Sequence, residues 1–549
     1  MDENKENLLR LHNVYSILKD AYIICREEKR NYIEEQLKTD FSGEEFIIFK
    51  EDLLEASKED TEISADDIAM IQFSSGSTGM PKGVLLTHKN LMFDLEKQAK
   101  RLRLTKKDLD AYWLPLTYDM GLIGCHLLSM YSGSNQVEIA TADYIKNPMI
   151  YLESLSKYKA TYTLSSGQGL AVVSNCVKNN PEAQLDLNNM RIIVVGGEMI
   201  QAEKCRAFLS TFKQYGIIDN ILFPAYGMAE TTLGVALPEP NETFSPVLVD
   251  STSFVPGGQI KYCKSKDEKN VLEIVDSGFA LEDCKIEICD SEGKSYGNDV
   301  FGIIKVKGDS VFSGYYDNKM DSGIRDGWYI SKDYGFLHNN RLIVAGRMDD
   351  VIIINGQNYF LNDLGNVIKN TKQVADRLVA VCKKKNPKTG EEELSILIEY
   401  TDSMESFIPL MKAVQDALYE YSFLKVNYVI PVKQIQRSDS GKLRSGVLEK
   451  QLTNGDFDNM IDELNKMIKK QYQEKDSSVD SEEKLNLLID IWEVVTGIRV
   501  NPEDDFYTFG TSSVTLTQFV MKIEEKTGKK INVSDLFYCT TLGDLVKLI

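Results

Sequence analysis

Ile71-Gln-Phe-Ser-Ser-Gly-Ser-Thr-Gly-Met-Pro-Lys-Gly-Val-Leu-Leu-Thr-His-Lys-Asn90 is the stretch from which the fold is read. Residues Asp67 to Phe73 are apolar enough for a buried strand. A turn of glycines and hydroxyls follows, then a second strand at Val84-Leu-Leu and a helix entry at Thr87-His-Lys-Asn. Such a turn gathers backbone N–H groups and side-chain O–H groups at one point, which suits phosphate oxygens. Ser74, Ser75, Gly76, Ser77, Thr78 and Gly79 are the candidate contacts, and Lys82 adds a cation. The Walker pattern does not apply, because Pro81 precedes the lysine and no helix follows directly. A plain Gly/Ser turn is the alternative.

The chain has 549 residues, 43% of them hydrophobic, enough for several domains with their own cores. Its net charge of −20 argues against nucleic acid or an anionic membrane surface as the main partner. The nine cysteines are odd in number, with no CxxC pair and no zinc spacing. Reduced thiols in a cytoplasmic protein are expected. The first residues lack a signal peptide's pattern, and no apolar run is long enough for a membrane span.

Further along, strands at Gln136 to Ala140, Thr161 to Leu164 and Arg191 to Val195 alternate with helices near 147–158 and 168–179. A shorter strand is expected over Glu45 to Lys50, with an acidic helix after it. Repeated βα units predict a buried parallel sheet, with sites in loops at the strands' carboxyl ends. The loop Thr163 to Gly169, with Ser166, is one such site and is expected to line a substrate pocket. Ala111-Tyr-Trp-Leu-Pro-Leu-Thr-Tyr-Asp-Met-Gly-Leu122 passes from strand to loop to helix. There Asp119 either caps the helix or serves a substrate. Gly196-Gly197-Glu198 ends another strand. In Tyr226-Gly-Met-Ala-Glu-Thr-Thr232, Tyr226 offers an aromatic face to a purine and Thr231 a hydroxyl to an α-phosphate. Glu230 offers Mg²⁺ a hard oxygen. A helix opening at Gly227 with a solvated glutamate is the bland reading.

These stations, in this order, resemble the adenylate-forming superfamily: acyl-CoA synthetases, fatty acyl-AMP ligases and peptide-synthetase adenylation domains. The resemblance runs from about Asp67 to the C-terminus. It implies ATP-dependent conversion of a carboxylate to an acyl-adenylate, then transfer to a thiol. It places Gly197 and Glu198 at the adenine, and Thr78 with Glu230 at Mg²⁺. Tyr118, Asp119 and Met120 fall in the substrate motif, with Tyr118 where a histidine is common. Asp333 would hold the ribose and Arg347 the ribose or phosphate, although Ser331-Lys332-Asp333 stands in place of Thr-Gly-Asp. Asp350 matches the hinge aspartate, and Asp349 stands where a lysine is common. Arg437-Ser-Asp-Ser-Gly-Lys-Leu-Arg444 resembles the catalytic-lysine loop. Lys442 would there stabilise the charge formed as the carboxylate attacks phosphorus, once the lid closes. Asp505-Phe-Tyr-Thr-Phe-Gly-Thr-Ser-Ser513 is similar to a carrier-protein motif, with Ser513 the site of 4′-phosphopantetheine and Ser512 where aspartate is usual. The long irregular stretch from Leu233 to Ser277 is similar to extra sequence in fatty acyl-AMP ligases.

The expected architecture is α/β, a large adenylation domain over 1–347, a small α+β lid over 348–455, a linker over 456–480 and a helical-bundle carrier over 481–549. The run before the phosphate loop is shorter than in the resembled family, so a separate N-terminal lobe in trans is one expectation. The expected partners are a small carboxylic acid, a phosphopantetheinyl transferase and downstream synthase or synthetase modules. The substrate is expected to be a fatty or other non-amino acid. One rival reading is an amino-acid adenylation–thiolation didomain in which Asp119 binds the amine. Another is a silent scaffold with a working carrier, suggested by the short N-terminal run, Lys332 and Asp349. No histidine is required, and His12, His88, His126 and His338 are expected to be structural or peripheral.

Overall fold

The computed structural model describes residues 14–15, 17–18, 23–25, 33, 47–49, 62–75, 81–268, 271–316, 321–354, 357–374, 377–385, 392–422, 424, 426–437, 443, 445–473, 481–496, 498–504, 513–536, 538–539 and 541–549. The chain divides into two compact units, Met1–Asp349 and Asp350–Ile549.

In the first unit, β1 (Ile68–Ser75) and β2 (Pro81–Thr87) form an antiparallel hairpin. Ser74 lies opposite Lys82, and Ser75 opposite Pro81. The second strand therefore starts three residues before Val84, where the apolar run suggested it would. Pairing with β1 carries the strand back to Pro81, and β2 is also paired on its other side. Tyr316 N donates to Gly83 O at 2.8 Å, and Leu85 N to Gly314 O at 3.0 Å. Gly83 also permits close approach, since a Cβ there would lie 2.9 Å from Ile71 Cγ2. Ser74 and Ser75 are thus strand residues, and the turn proper, 76–80, lies outside the described residues.

Helix α1 (His88–Leu102) follows directly. Thr87 and Asn90 cap it reciprocally: Asn90 N donates to Thr87 Oγ1 at 3.1 Å, and Thr87 N to Asn90 Oδ1 at 2.9 Å. Asn90 Nδ2 also donates to the carbonyls of Asp309 and Val311, at 2.7 and 3.0 Å. One side chain therefore caps the helix and ties it to a distant loop.

The main sheet contains β3 (Leu109–Tyr112), β4 (Asn135–Glu138), β5 (Tyr162–Ser165), β6 (Ile192–Val195) and β7 (Leu222–Pro224). Their order is β4-β3-β5-β6-β7, all parallel. Every residue of β5 and β6 is buried, as expected when helices cover both faces. Helices α2 (Met149–Lys157), α3 (Gly167–Lys178) and α4 (Ala202–Phe212) lie between these strands in sequence, and their apolar faces join one core with the sheet. The strands and helices predicted over 136–195 thus stand within two residues of their expected bounds. A second, antiparallel sheet contains β8 (Lys285–Cys289), β9 (Gly302–Lys307), β10 (Trp328–His338) and β11 (Arg341–Arg347). Nearer the start, Ile23–Cys25 pairs in parallel with Ile47–Phe49. The acidic helix expected after that strand lies outside the described residues.

The second unit begins with a hairpin, β12 (Val351–Ile354) and β13 (Gln357–Phe360), and α5 (Leu361–Lys369). Strands β14 (Val379–Lys385), β15 (Glu392–Glu399) and β16 (Tyr428–Val432) make a small sheet. Helices α6 (Met404–Ser422) and α7 (Ser445–Asn454) complete this α+β part. The linker expected over 456–480 is instead largely helical, with α8 over Asp458–Gln473. Its charged composition hid an apolar stripe: Met460, Ile461, Leu464, Met467 and Ile468 recur at helical spacing. Leu464 and Ile468 are buried. The C-terminal helices are α9 (Ser481–Thr496), α10 (Ser513–Thr527), α11 (Val533–Leu536) and α12 (Leu542–Leu545). Trp492 and Phe519 meet edge to face at 5.0 Å in their core. Among the described residues, no helix is long and apolar enough to cross a membrane.

Candidate active site

The parallel sheet delivers its loops to one edge. Trp113 to Asp119 follow β3, Ser166 follows β5, Gly196-Gly197-Glu198 follow β6, and Tyr226-Gly227 follow β7. Ser166 caps α3, accepting from Gly169 N at 3.0 Å. Glu198 Oε1 accepts from Gln168 N at 2.6 Å, which sets a carboxylate at the positive end of the same helix. Gly197 has φ +77, and a Cβ there would lie 2.2 Å from Tyr118 Oη and 2.7 Å from Met120 Sδ. Only glycine leaves room for those side chains. Tyr118, Met120, Ser166, Gly197 and Glu198, which the sequence assigned to a substrate pocket and to an adenine site, are therefore brought together.

The helix after Asp119 is a π-helix, Met120–Leu127, a rarer form often seen at functional sites. Asp119 accepts from Met120 N at 2.8 Å, so its carboxylate is held by the adjacent amide. Gly121 is required there, because a Cβ would meet Pro115 O at 2.3 Å. Burial raises the pKa of the Tyr118 phenol, with the charges of Asp119 and Glu198 adding to it, so the phenol stays neutral. Behind β5 and β6 lies a gap of about 10 Å³, lined by Tyr151, Leu155, Leu170, Val173, Ile193 and Phe208. That is room for no more than about one water.

A second group forms where β2 meets the 312–316 segment. Tyr315 Oη donates to Glu230 Oε1 at 2.9 Å. Lys82 Nζ stands 5.5 Å from the centre of the Tyr315 ring, within cation–π range. Burial, and then the Glu230 charge, raise the Tyr315 pKa, so its proton stays on as a donor. The sequence singled out Glu230 and Lys82 separately. Tyr315 joins them, and its only signal was its place in Phe312-Ser-Gly-Tyr-Tyr316. Tyr315→Phe keeps the ring but removes the O–H that orients Glu230. It is expected to lower acid-dependent ATP–pyrophosphate exchange roughly tenfold with an unchanged melting curve, the loss of a hydrogen bond to a charged group.

A third group lies at Asp333. Tyr226 Oη donates to Asp333 Oδ2 at 2.7 Å, and Arg347 Nε stands 3.4 Å from Asp333 Oδ1. Asp333 and Arg347 thus come together as expected. Tyr226 does not display the open face expected for a purine: it is 8% exposed, and its contacts hold Asp333. Burial and then the Asp333 charge raise its pKa far above the ordinary phenol value. Gly227 is obligatory, since a Cβ would lie 1.6 Å from Leu233 O.

The hydroxyl expected at the α-phosphate is turned away. Thr231 is fully buried and its Oγ1 donates to Met228 O at 3.0 Å. The 3₁₀ turn Ala229–Thr231 causes this, because it folds the side chain back on its own first residues. Thr232 is equally buried and bonds Ser310 O at 2.8 Å. Gly76, Ser77, Thr78, Gly79 and Lys442 lie outside the described residues, as do the side chains of Ser74, Ser75 and Ser513. The backbone of Ser513 opens α10. His126 Nδ1 lies 3.1 Å from Gln136 Oε1, and His338 Nδ1 lies 2.7 Å from Asp299 Oδ1. Both are held by partners other than the residues gathered above.

Asp94 of α1 was missed by the sequence reading. It is 1% exposed and accepts from Gly234 N at 3.0 Å, which secures the end of the 226–234 loop. Gln98, one turn on, donates to its other oxygen at 2.5 Å. Burial pushes its carboxyl up to about 8, against the two hydrogen bonds that pull it down. The folded state therefore holds a proton that the unfolded state, near pKa 4, has lost. Its contribution to stability is full below about pH 4 and is lost as pH rises toward 8. Asp94→Asn is expected to flatten the fall in the large domain's unfolding free energy between pH 5 and 8, read from urea melts, a fall that one such group limits to about 1.4 kcal/mol per pH unit.

Comparison with known proteins agrees with this arrangement. The model for AMP-binding enzymes matches residues 17–316, and that for the phosphopantetheine attachment site matches residues 486–549. A medium-chain fatty acid–[acyl-carrier-protein] ligase of Moorena producens is 26% identical over 72% of this chain and 70% of its own length. Microperfuranone synthase of Emericella nidulans is 24% identical over 85% of this chain and 49% of its own length. The chain spans between half and three-fifths of the length of the other curated relatives that it matches. Among solved structures, a phenylalanyl-adenylate complex of McyG A-PCP covers 100% of this chain and 84% of its own, with TM-score 0.77 and 22% identity. A fatty acyl-adenylate ligase structure, from work on the E. coli and L. pneumophila enzymes, has TM-score 0.73 and 25% identity, with 82% of both chains covered. The chain belongs to the AMP-binding enzyme family, in an α/β adenylation-domain fold that ends in a phosphopantetheine-attachment carrier region.

Proposed function

We propose that this chain uses ATP to activate a carboxylic acid as an acyl-adenylate and then loads the acyl group on its own carrier region. The observation that carries this is the meeting of Lys82, Tyr315 and Glu230 in one fold with the Asp333–Arg347 pair. A cation for phosphate oxygens and a carboxylate, Asp333, for ribose hydroxyls are what a bound nucleotide needs. In the reaction the substrate carboxylate oxygen bonds to the α-phosphorus and the bond to pyrophosphate breaks. Lys82 stabilises the phosphate charge, and Lys442 does so at the reacting centre when the lid closes. Glu198 and Gly197 bound the space for adenine.

The donor set fits Mg²⁺: Glu230 is a hard-oxygen ligand held in place by Tyr315, and Thr78 would share the ion. Bound there, Mg²⁺ supplies charge neutralisation to the phosphates. Phosphopantetheine fits Ser513, the first residue of α10, and supplies the accepting thiol. A phosphopantetheinyl transferase is then required, and downstream synthase modules would draw on the loaded carrier.

We favour a fatty or other non-amino acid. Asp119 accepts from Met120 N, which does not bar an amine, so the preference rests on Leu114-Pro-Leu-Thr-Tyr-Asp-Met-Gly-Leu122, which resembles the substrate motif of fatty acyl-AMP ligases. Acid-dependent ATP–pyrophosphate exchange on the full chain, against fatty, aryl, keto and amino acids, tests this. Exchange with a non-amino acid is expected. Exchange confined to amino acids replaces the substrate reading. No exchange with any acid supports the silent scaffold instead.

A further inference from the structure

Half of α6 is buried. Phe407, Ile408, Met411, Val414, Gln415 and Leu418 are all 2% exposed or less. The sequence reading gave the lid and carrier separate cores joined by a linker. Instead one continuous apolar core holds lid residues such as Phe407, Met411 and Val414 together with carrier residues such as Trp492, Phe519 and Leu536. Polar contacts mark where they meet. Lys412 Nζ stands 3.1 Å from Asp535 Oδ1, with both side chains largely shielded, at 26% and 18% exposure. Gln415 Nε2 donates to Tyr538 Oη at 2.9 Å, and Tyr538 Oη lies 3.6 Å from Met411 Sδ. Met411, Lys412 and Gln415 are spaced i, i+1 and i+4, which puts them on one flank of α6. Asp535 and Tyr538 are three apart on the carrier. Gln415 is 2% exposed, and Tyr538 is the partner of its Nε2, while its buried Oε1 has no hydrogen-bond partner among the described residues.

We propose that this flank of α6 is a docking site in cis for the carrier's Asp535 and Tyr538, so that lid and carrier travel as one body. Ser513 is then carried with the lid when the lid moves. The chain's own carrier occupies the dock, and a carrier from another chain must displace it. The docking stands on these contacts alone. Only its use in loading rests on the adenylation reading.

Hydrogen exchange on the full chain, without ATP or acid, tests the dock. Lys412→Glu sets a like charge against Asp535 from the lid side. It is expected to speed exchange of the 535–539 amides by about tenfold or more while α9 keeps its protection. Adding Asp535→Lys restores an opposite pair and is expected to recover the protection. From the carrier side, Tyr538→Phe is expected to speed exchange in the second half of α6. Effects confined to the mutated domain, or no change in either segment, would overturn the proposal. The readout involves no catalysis, so an inactive enzyme with a coupled lid and carrier still supports the dock.

Discussion

Glu230→Gln lowers acid-dependent ATP–pyrophosphate exchange by about two orders of magnitude, with the fold intact. Glutamine has the same shape, and its amide oxygen can still accept from Tyr315 Oη, the bond that orients Glu230 at 2.9 Å. The 3₁₀ turn Ala229–Thr231 and the Phe312 N to Glu230 O bond at 2.9 Å involve backbone only, so they survive. What is lost is one negative charge at the place assigned to Mg²⁺. The variant is therefore expected to need a higher Mg²⁺ concentration for half-maximal exchange, while Tyr315→Phe shifts the rate more than the Mg²⁺ requirement. Wild-type exchange at limiting Mg²⁺ would remove Glu230 from the metal.

The second large effect separates the two halves of the reaction. Lys442→Ala is expected to abolish adenylate formation, by about a hundredfold or more, because it removes the cation proposed to face the developing charge. Ser513→Ala is expected to leave exchange at the wild-type rate and to abolish carrier acylation altogether, since no hydroxyl remains to be modified. The pair is informative because the two defects lie in different steps. Wild-type-like exchange in the lysine variant would contradict its role. Carrier acylation in the serine variant would mean that another residue is modified.

Local pattern made much of this legible. The apolar runs at β5 and β6 announced a covered sheet, and the loops after them had to gather at one edge. Gly197 followed, since it stands just beyond β6, and Tyr118 and Met120 stand in the loop and helix start after β3. Long-range pairing was not legible. Pro81 and Lys82 joined β2 by pairing with Ser75 and Ser74 of β1, and residues 313–316, more than 200 positions away, pair with Gly83 and Leu85 on its other side. Tyr315 could not be linked to Glu230 for the same reason. Thr231 was assigned to phosphate from its type, but a tight turn directed its hydroxyl to Met228. Asp94 looked like one more polar residue on an amphipathic helix, and only the fold revealed it against Gly234 N. The helix over 458–473 was hidden by its charged outer face. The shared lid and carrier core was hidden because composition cannot say which of two apolar faces meets which.

The account centres on where a nucleotide binds. A structure of the full chain with a non-hydrolysable acyl-adenylate analogue tests that most directly. The predicted result is adenine beside Gly197 and Glu198, ribose hydroxyls on Asp333, and the phosphate facing the β1–β2 turn, Lys82 and Glu230. An analogue bound away from the carboxyl ends of β3, β5, β6 and β7, or no binding at saturating concentration, would contradict it.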